Sequence, residues 1–79
     1  MAINTFTIYI KLIDEAVYVI RPTKGKMIRD LIFEVLPTDN YDPNDENWEF
    51  LPGMIVKCKR EYSISIGREI LVAVEVVID

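Results

Sequence analysis

The last strand-length run of the chain, residues 69–78 (EILVAVEVVI), sets Ile70, Val72, Val74, Val76 and Ile78 at every second position. That is the period at which successive side chains leave opposite faces of an extended strand. A short chain whose most apolar run has period two must bury that run in a sheet. The same period governs residues 5–13 (TFTIYIKLI), with Phe6, Ile8, Ile10 and Leu12 on one face and Thr5, Thr7, Tyr9 and Lys11 on the other. After Asp14-Glu15, residues 17–21 (VYVIR) resume a β-branched and aromatic pattern up to Pro22, which cannot donate to a ladder. The economical reading is a hairpin.

Residues 26–36 are ambiguous. Met27, Ile28, Leu31, Ile32, Val35 and Leu36 recur at the spacing of one helix face. The segment is nevertheless rich in β-branched and aromatic residues, has no capping side chain directly before it, and divides into two short strands about Arg29-Asp30. Two strands are the preferred expectation; the alternative is an α+β domain with residues 26–36 helical.

Residues 37–47 (PTDNYDPNDEN) are dense in Asp, Asn and Pro, which satisfy their own backbone locally and stop ladders from propagating. This is the one long loop expected. Asp42-Pro43 has the form of an N-cap followed by a first-turn proline, so a single helical turn is expected there, with Trp48 and Phe50 closing the loop onto the core. Pro52-Gly53 makes a turn, and residues 54–62 (MIVKCKREY) alternate Val56 and Cys58 against Lys57 and Lys59. The expected fold is all-β: a small antiparallel five- to six-stranded SH3-like barrel, with residues 1–79 forming one domain that carries an acidic loop at 37–47.

A domain of 79 residues buries a smaller share of its surface than a larger one, so its core must be dense; with 51% of residues hydrophobic, this chain can build one. Cys58 is the only cysteine, which rules out an intrachain disulfide framework and suits a reducing compartment. No basic segment precedes an apolar run at the start, and no unbroken apolar stretch exceeds the five residues of 70–74, too few to span a bilayer. The expectation is a cytoplasmic protein with no membrane association.

Three stretches also carry a resemblance: IDEAVYVIRPT at 13–23, IFEVLPTDNYDPNDENWEFLPGMIVKC at 32–58 and ILVAVE at 70–75. With its WEF-x-PG-x-x-V-x-C core, the chain resembles a group of short bacterial proteins described as hypothetical. The likeness covers most of the chain and departs at Ile20, where the group often has an aromatic residue before the Arg-Pro pair. It implies a bacterial or phage origin and strands on both sides of the acidic loop. It implies no activity.

The chemistry is narrowed chiefly by what is missing. The chain has no histidine, the side chain most used as a general base near neutral pH and the commonest zinc ligand. Its three glycines, Gly25, Gly53 and Gly67, are too scattered for a phosphate-cradling loop. Cys58 reads as a small core hydrophobe, because strand geometry turns Lys57 and Lys59 to the opposite face. Asp42, Asn44 and Glu46 match the first positions of a calcium loop, but Asn47 then stands where the glycine belongs and Gly53 where the bidentate glutamate belongs. No catalytic, cofactor or metal residues are assigned.

Charge supplies the remaining clue. Residues 30–49 hold seven carboxylates and no base, so the net charge of -4 belongs to one segment. The expected function is a non-enzymatic protein-interaction module, an inhibitor, immunity-type or regulatory factor that meets a basic surface of a partner protein through Asp39, Tyr41, Asp42, Asp45, Glu46 and Trp48. One alternative is nucleic-acid binding through Lys24, Lys26 and Arg29, with Lys24 and Lys26 flanking an exposed turn at Gly25. The acidic balance, with a pI near 4.7, weighs against nucleic acid. A further alternative is a structural homodimer joined through the C-terminal strand.

Overall fold

In the computed structural model, residues 4–13 and 19–77 are described. Five strands follow one another: β1 (Thr5–Lys11), β2 (Ile20–Arg29), β3 (Ile32–Val35), β4 (Ile55–Ser63) and β5 (Arg68–Val76). Each pairs with the next in antiparallel fashion, and the set closes into a small SH3-like barrel. An odd number of alternating strands leaves the first and last running the same way, so β1 meets β5 in parallel, through the pair Tyr9↔Val72. The described residues contain no helix, and 26–36 forms the β2–β3 hairpin about Asp30-Leu31, as the β-branched content favoured.

The alternating register sorts the side chains. Ile8 and Ile10 of β1, Phe33 and Val35 of β3, Val56 and Cys58 of β4 and Ala73 of β5 fill the barrel together with Trp48 and Phe50 from the β3–β4 connection. Buried Thr23 joins them by donating its hydroxyl to the Leu36 carbonyl. β1 is covered on both faces, since Tyr9 packs with Ile70, Val72 and half-buried Ile20 in a second apolar cluster.

Three sequence expectations need correction. β2 does not stop at Pro22 but runs through it to Arg29. Leu12 N–H donates to the Val19 carbonyl and Met27 N–H to the Asn4 carbonyl, which fixes the phase of the β1–β2 ladder and places Tyr9↔Pro22 at a non-hydrogen-bonded position. The missing N–H of Pro22 therefore faces away from β1, where β3, paired only from Gly25 onward, does not reach.

Gly25 is likewise no exposed turn: it is buried in mid-strand between Phe6 and Val35. The single apolar face expected for residues 69–78 is broken as well. Lys57 pairs with Glu75 but Cys58 with Ala73, so Val74 is an extra residue and the phase reverses there. Ile70 and Val72 face the second cluster, Leu71 and Ala73 the barrel, and Val74 and Val76 are exposed. The expected hairpin turn at Asp14-Glu15, residues 17 and 18 of the expected strand, and Ile78 lie outside the described residues.

Candidate functional site

The acidic segment folds across the end of the barrel where β1 finishes and β2 begins. Its return limb is tied to β1: Glu49 N–H donates to the Lys11 carbonyl at 2.8 Å, Ile13 N–H to the Asn47 carbonyl at 2.8 Å, and Leu12 and Trp48 form an antiparallel bridge. Further on, Pro52 and Gly53 turn the chain into β4, with Gly53 at φ 95°, a value suited to glycine as the third residue of a type II turn. Asp42 organises the outer limb. Its carboxylate accepts the Asn44 N–H at 2.9 Å, and its carbonyl accepts the N–H groups of Asp45 and Glu46, the single helical turn expected at Asp42-Pro43.

Trp48 locks this loop down. The indole is 2% exposed, its ring meets Tyr41 edge-on at 4.7 Å, and its Nε1–H donates to Glu46 Oε1 at 3.0 Å. The other oxygen of Glu46 accepts from the Arg21 guanidinium, which reaches across from β2 as both a hydrogen bond and an ion pair. The Trp48 hydrogen bond first, and then Arg21, hold the Glu46 carboxyl below the usual glutamate range, against the opposing effect of burial.

A depressed folded-state pKa contributes stability that is present above the ordinary glutamate value of 4.5 and is lost as pH falls through the lower folded value. The thermal midpoint of the wild type should accordingly fall on acidification below about pH 4.5 by more than that of Glu46→Gln. Parallel pH profiles for the two proteins would refute the coupling.

The six residues expected to meet a partner are thus brought to one end of the molecule but play different parts. Trp48 lies in the core, Tyr41 is half-buried against it, and Glu46 is engaged by Trp48 and Arg21. Asp39, Asp42 and Asp45 remain exposed around a bowl of about 500 Å³ that Arg21 also lines. Arg21 is the component that sequence reasoning missed. It is separated from Glu46 by 25 residues, and only the barrel's closure makes them neighbours. Among the described residues, no group of three or more acidic or thiol side chains is gathered for a metal ion.

Lys24 and Lys26 project from the outer face of β2, where Lys24 stands opposite Thr7 and Lys26 lies between Thr5 and Glu34, and Arg29 is exposed at the strand's end. β5 is laddered to β4 along one edge and to β1 at Val72 along the other. No helix among the described residues is long and apolar enough to cross a membrane.

Cys58 is 1% exposed, and burial raises its thiol from 9.0 to about 11. The native thiol is therefore expected to resist an aromatic disulfide reagent at neutral pH and to react only as the protein unfolds. Its raised pKa adds a pH dependence of the opposite sign to that of Glu46, with stability full below about pH 9 and declining as pH rises toward 11. Rapid labelling of folded protein would contradict this burial.

No family model, no curated protein and no solved structure matches this chain.

Proposed function

We propose that the protein is a non-enzymatic binding module of the cytoplasm, an inhibitor, immunity-type or regulatory factor that docks its acidic end onto a basic surface of another protein. The observation that carries this reading is the way the loop is held. Trp48, Tyr41 and the Arg21–Glu46 pair fix the backbone from inside, while Asp39, Asp42 and Asp45 stay exposed on the outside. A preformed acidic face avoids much of the ordering cost that a mobile charged loop incurs on binding. Contact through Lys24, Lys26 and Arg29 is less well supported, because Glu34 stands beside Lys26 and the aromatic of that face, Tyr9, is buried.

The test is capture of a partner from the native host by wild type and by the triple variant Asp39→Asn, Asp42→Asn, Asp45→Asn. Asparagine at position 42 keeps an oxygen for the Asn44 N–H, so the turn survives while the charge goes. The wild type is expected to recover a basic protein in a salt-sensitive manner and the variant to lose it. Equal recovery by both would remove the acidic face as the docking surface.

A further inference from the structure

The two ends of the barrel are closed differently. At the acidic end, Trp48 and Phe50 plug the interior. Among the described residues, no side chain does so at the other end. Phe6 lies on the inward face of β1 and meets the Phe33 ring edge-on at 5.8 Å, yet it is 44% exposed, and Met27 and Leu71 are only half-buried. The opening follows from the seam between β1 and β5. These strands are laddered at Tyr9↔Val72, and ahead of that pair residues 5–7 and 68–71 have no ladder to one another. Between them lies a cavity of about 360 Å³, within the size range of small-molecule sites.

The cavity has an apolar floor and a charged rim. Phe6, Met27, Phe33 and Leu71 form the floor, and Arg60 and Arg68 stand at the mouth with Asp30 and Glu69. Arg60 pairs across the ladder with Leu71, which places it on the same face as the floor. Neither arginine forms an ion pair among the described residues, although two carboxylates share the rim. This half of the barrel carries five bases, Lys26, Arg29, Lys59, Arg60 and Arg68, against four acids, Asp30, Glu34, Glu61 and Glu69. Its balance is therefore slightly basic, where that of the loop end is acidic.

One wall has a strained backbone. Leu31 lines the cavity at φ 63°, a left-handed conformation that glycine or asparagine adopts more cheaply. Leucine at this position places an apolar side chain at the mouth at the cost of that strain.

We propose that this open end binds a small amphiphilic carboxylate, its apolar body seated between Phe6 and Leu71 and its head held by the guanidinium groups of Arg60 and Arg68. A planar carboxylate fits the fork of an arginine, and an apolar body removes the exposed ring of Phe6 from water. The site is independent of the acidic face and does not require a protein partner.

The test is an NMR titration of the full chain with decanoate below its micelle concentration, with decanol and decylamine as comparisons. Decanoate is expected to produce saturable shifts at the Met27 methyl, the Leu31 and Leu71 methyls and the Phe6 ring, with decylamine at least about tenfold weaker. The double variant Arg60→Gln, Arg68→Gln, whose exposed side chains leave the core intact, should weaken decanoate about tenfold and leave decanol unchanged. Absence of saturable shifts with decanoate, or shifts confined to residues 62–66 at the hairpin tip, would overturn the site. Equal binding of decanoate and decylamine, or an unaffected double variant, would overturn the carboxylate assignment.

Discussion

Trp48→Ala is expected to cost about 3–5 kcal/mol, the range for deleting a buried aromatic, and so to consume most of the stability of a domain this size. The indole is 2% exposed and touches three separate parts of the fold: it packs in the barrel core, meets Tyr41, and donates to Glu46, which is itself tied to Arg21 on β2. Its removal opens a cavity at the acidic end and frees the carboxylate that anchors the loop. Trp48→Phe separates these contributions. A phenyl ring lacks the Nε1–H and two of the ring carbons, so its cost combines a hydrogen bond to a charged acceptor, about 1.5–3 kcal/mol, with a small void, and should stay below that of Trp48→Ala. Urea unfolding followed by far-UV circular dichroism reads both variants without relying on the deleted fluorophore. A Trp48→Ala protein whose midpoint equals that of the wild type would show that the loop is an appendage and the barrel stands without it.

That expectation bears on function as well as stability. If the loop and the barrel unfold together, the acidic face is as rigid as the core beneath it, and a charge change at Asp39, Asp42 or Asp45 alters binding without altering the fold. The two ends of the molecule can then be varied separately. The carboxylates of one end and the arginines of the other lie on opposite halves of the strands, with the packed interior between them.

The sequence made the sheet legible because its signals are local. Period two in residues 5–13 and 54–62, the Pro52-Gly53 turn and the Asp42-Pro43 cap each act within a few residues, and each appears in the structure. The misreadings all required knowledge of a neighbouring strand. Pro22 is tolerated because β3 begins its pairing three residues later, Gly25 is needed because Ile8 crosses over it, and the face of β5 reverses because Val74 is an extra residue against β4. The site shows the same division. The acidic loop is visible in composition and its closure onto the core through Trp48 and Phe50 is expected from the sequence, but the Arg21–Glu46 contact and the cavity beneath Arg60 and Arg68 are produced by closure of the barrel and have no local signature.

Gly25→Ala tests that closure at its tightest point. Two effects oppose each other. Alanine in place of glycine within a strand recovers about 0.5–1 kcal/mol of backbone entropy. The added Cβ, however, would lie 2.8 Å from Ile8 Cδ1, 3.1 Å from Ile8 Cγ2 and 3.1 Å from Phe33 Cβ. Ile8 is completely buried, so its terminal methyl has no open space to enter, and Phe33 Cβ moves only with the β3 backbone. Overpacking of this kind costs about 1–3 kcal/mol, which outweighs the entropic gain, and the net expectation is a clear loss of stability. Gly25→Val adds two further methyls to the same space and is expected not to fold. Ile8→Val is the informative partner: it removes Cδ1, the source of the shortest contact, at a cost of its own of about 0.5–1.5 kcal/mol, and it leaves Cγ2 in place. The double variant should therefore be more stable than the sum of the single effects predicts, a coupling that a double-mutant cycle measures directly. Strict additivity, or a Gly25→Ala protein more stable than wild type, would mean that β1 and β3 do not approach β2 as closely as these distances require.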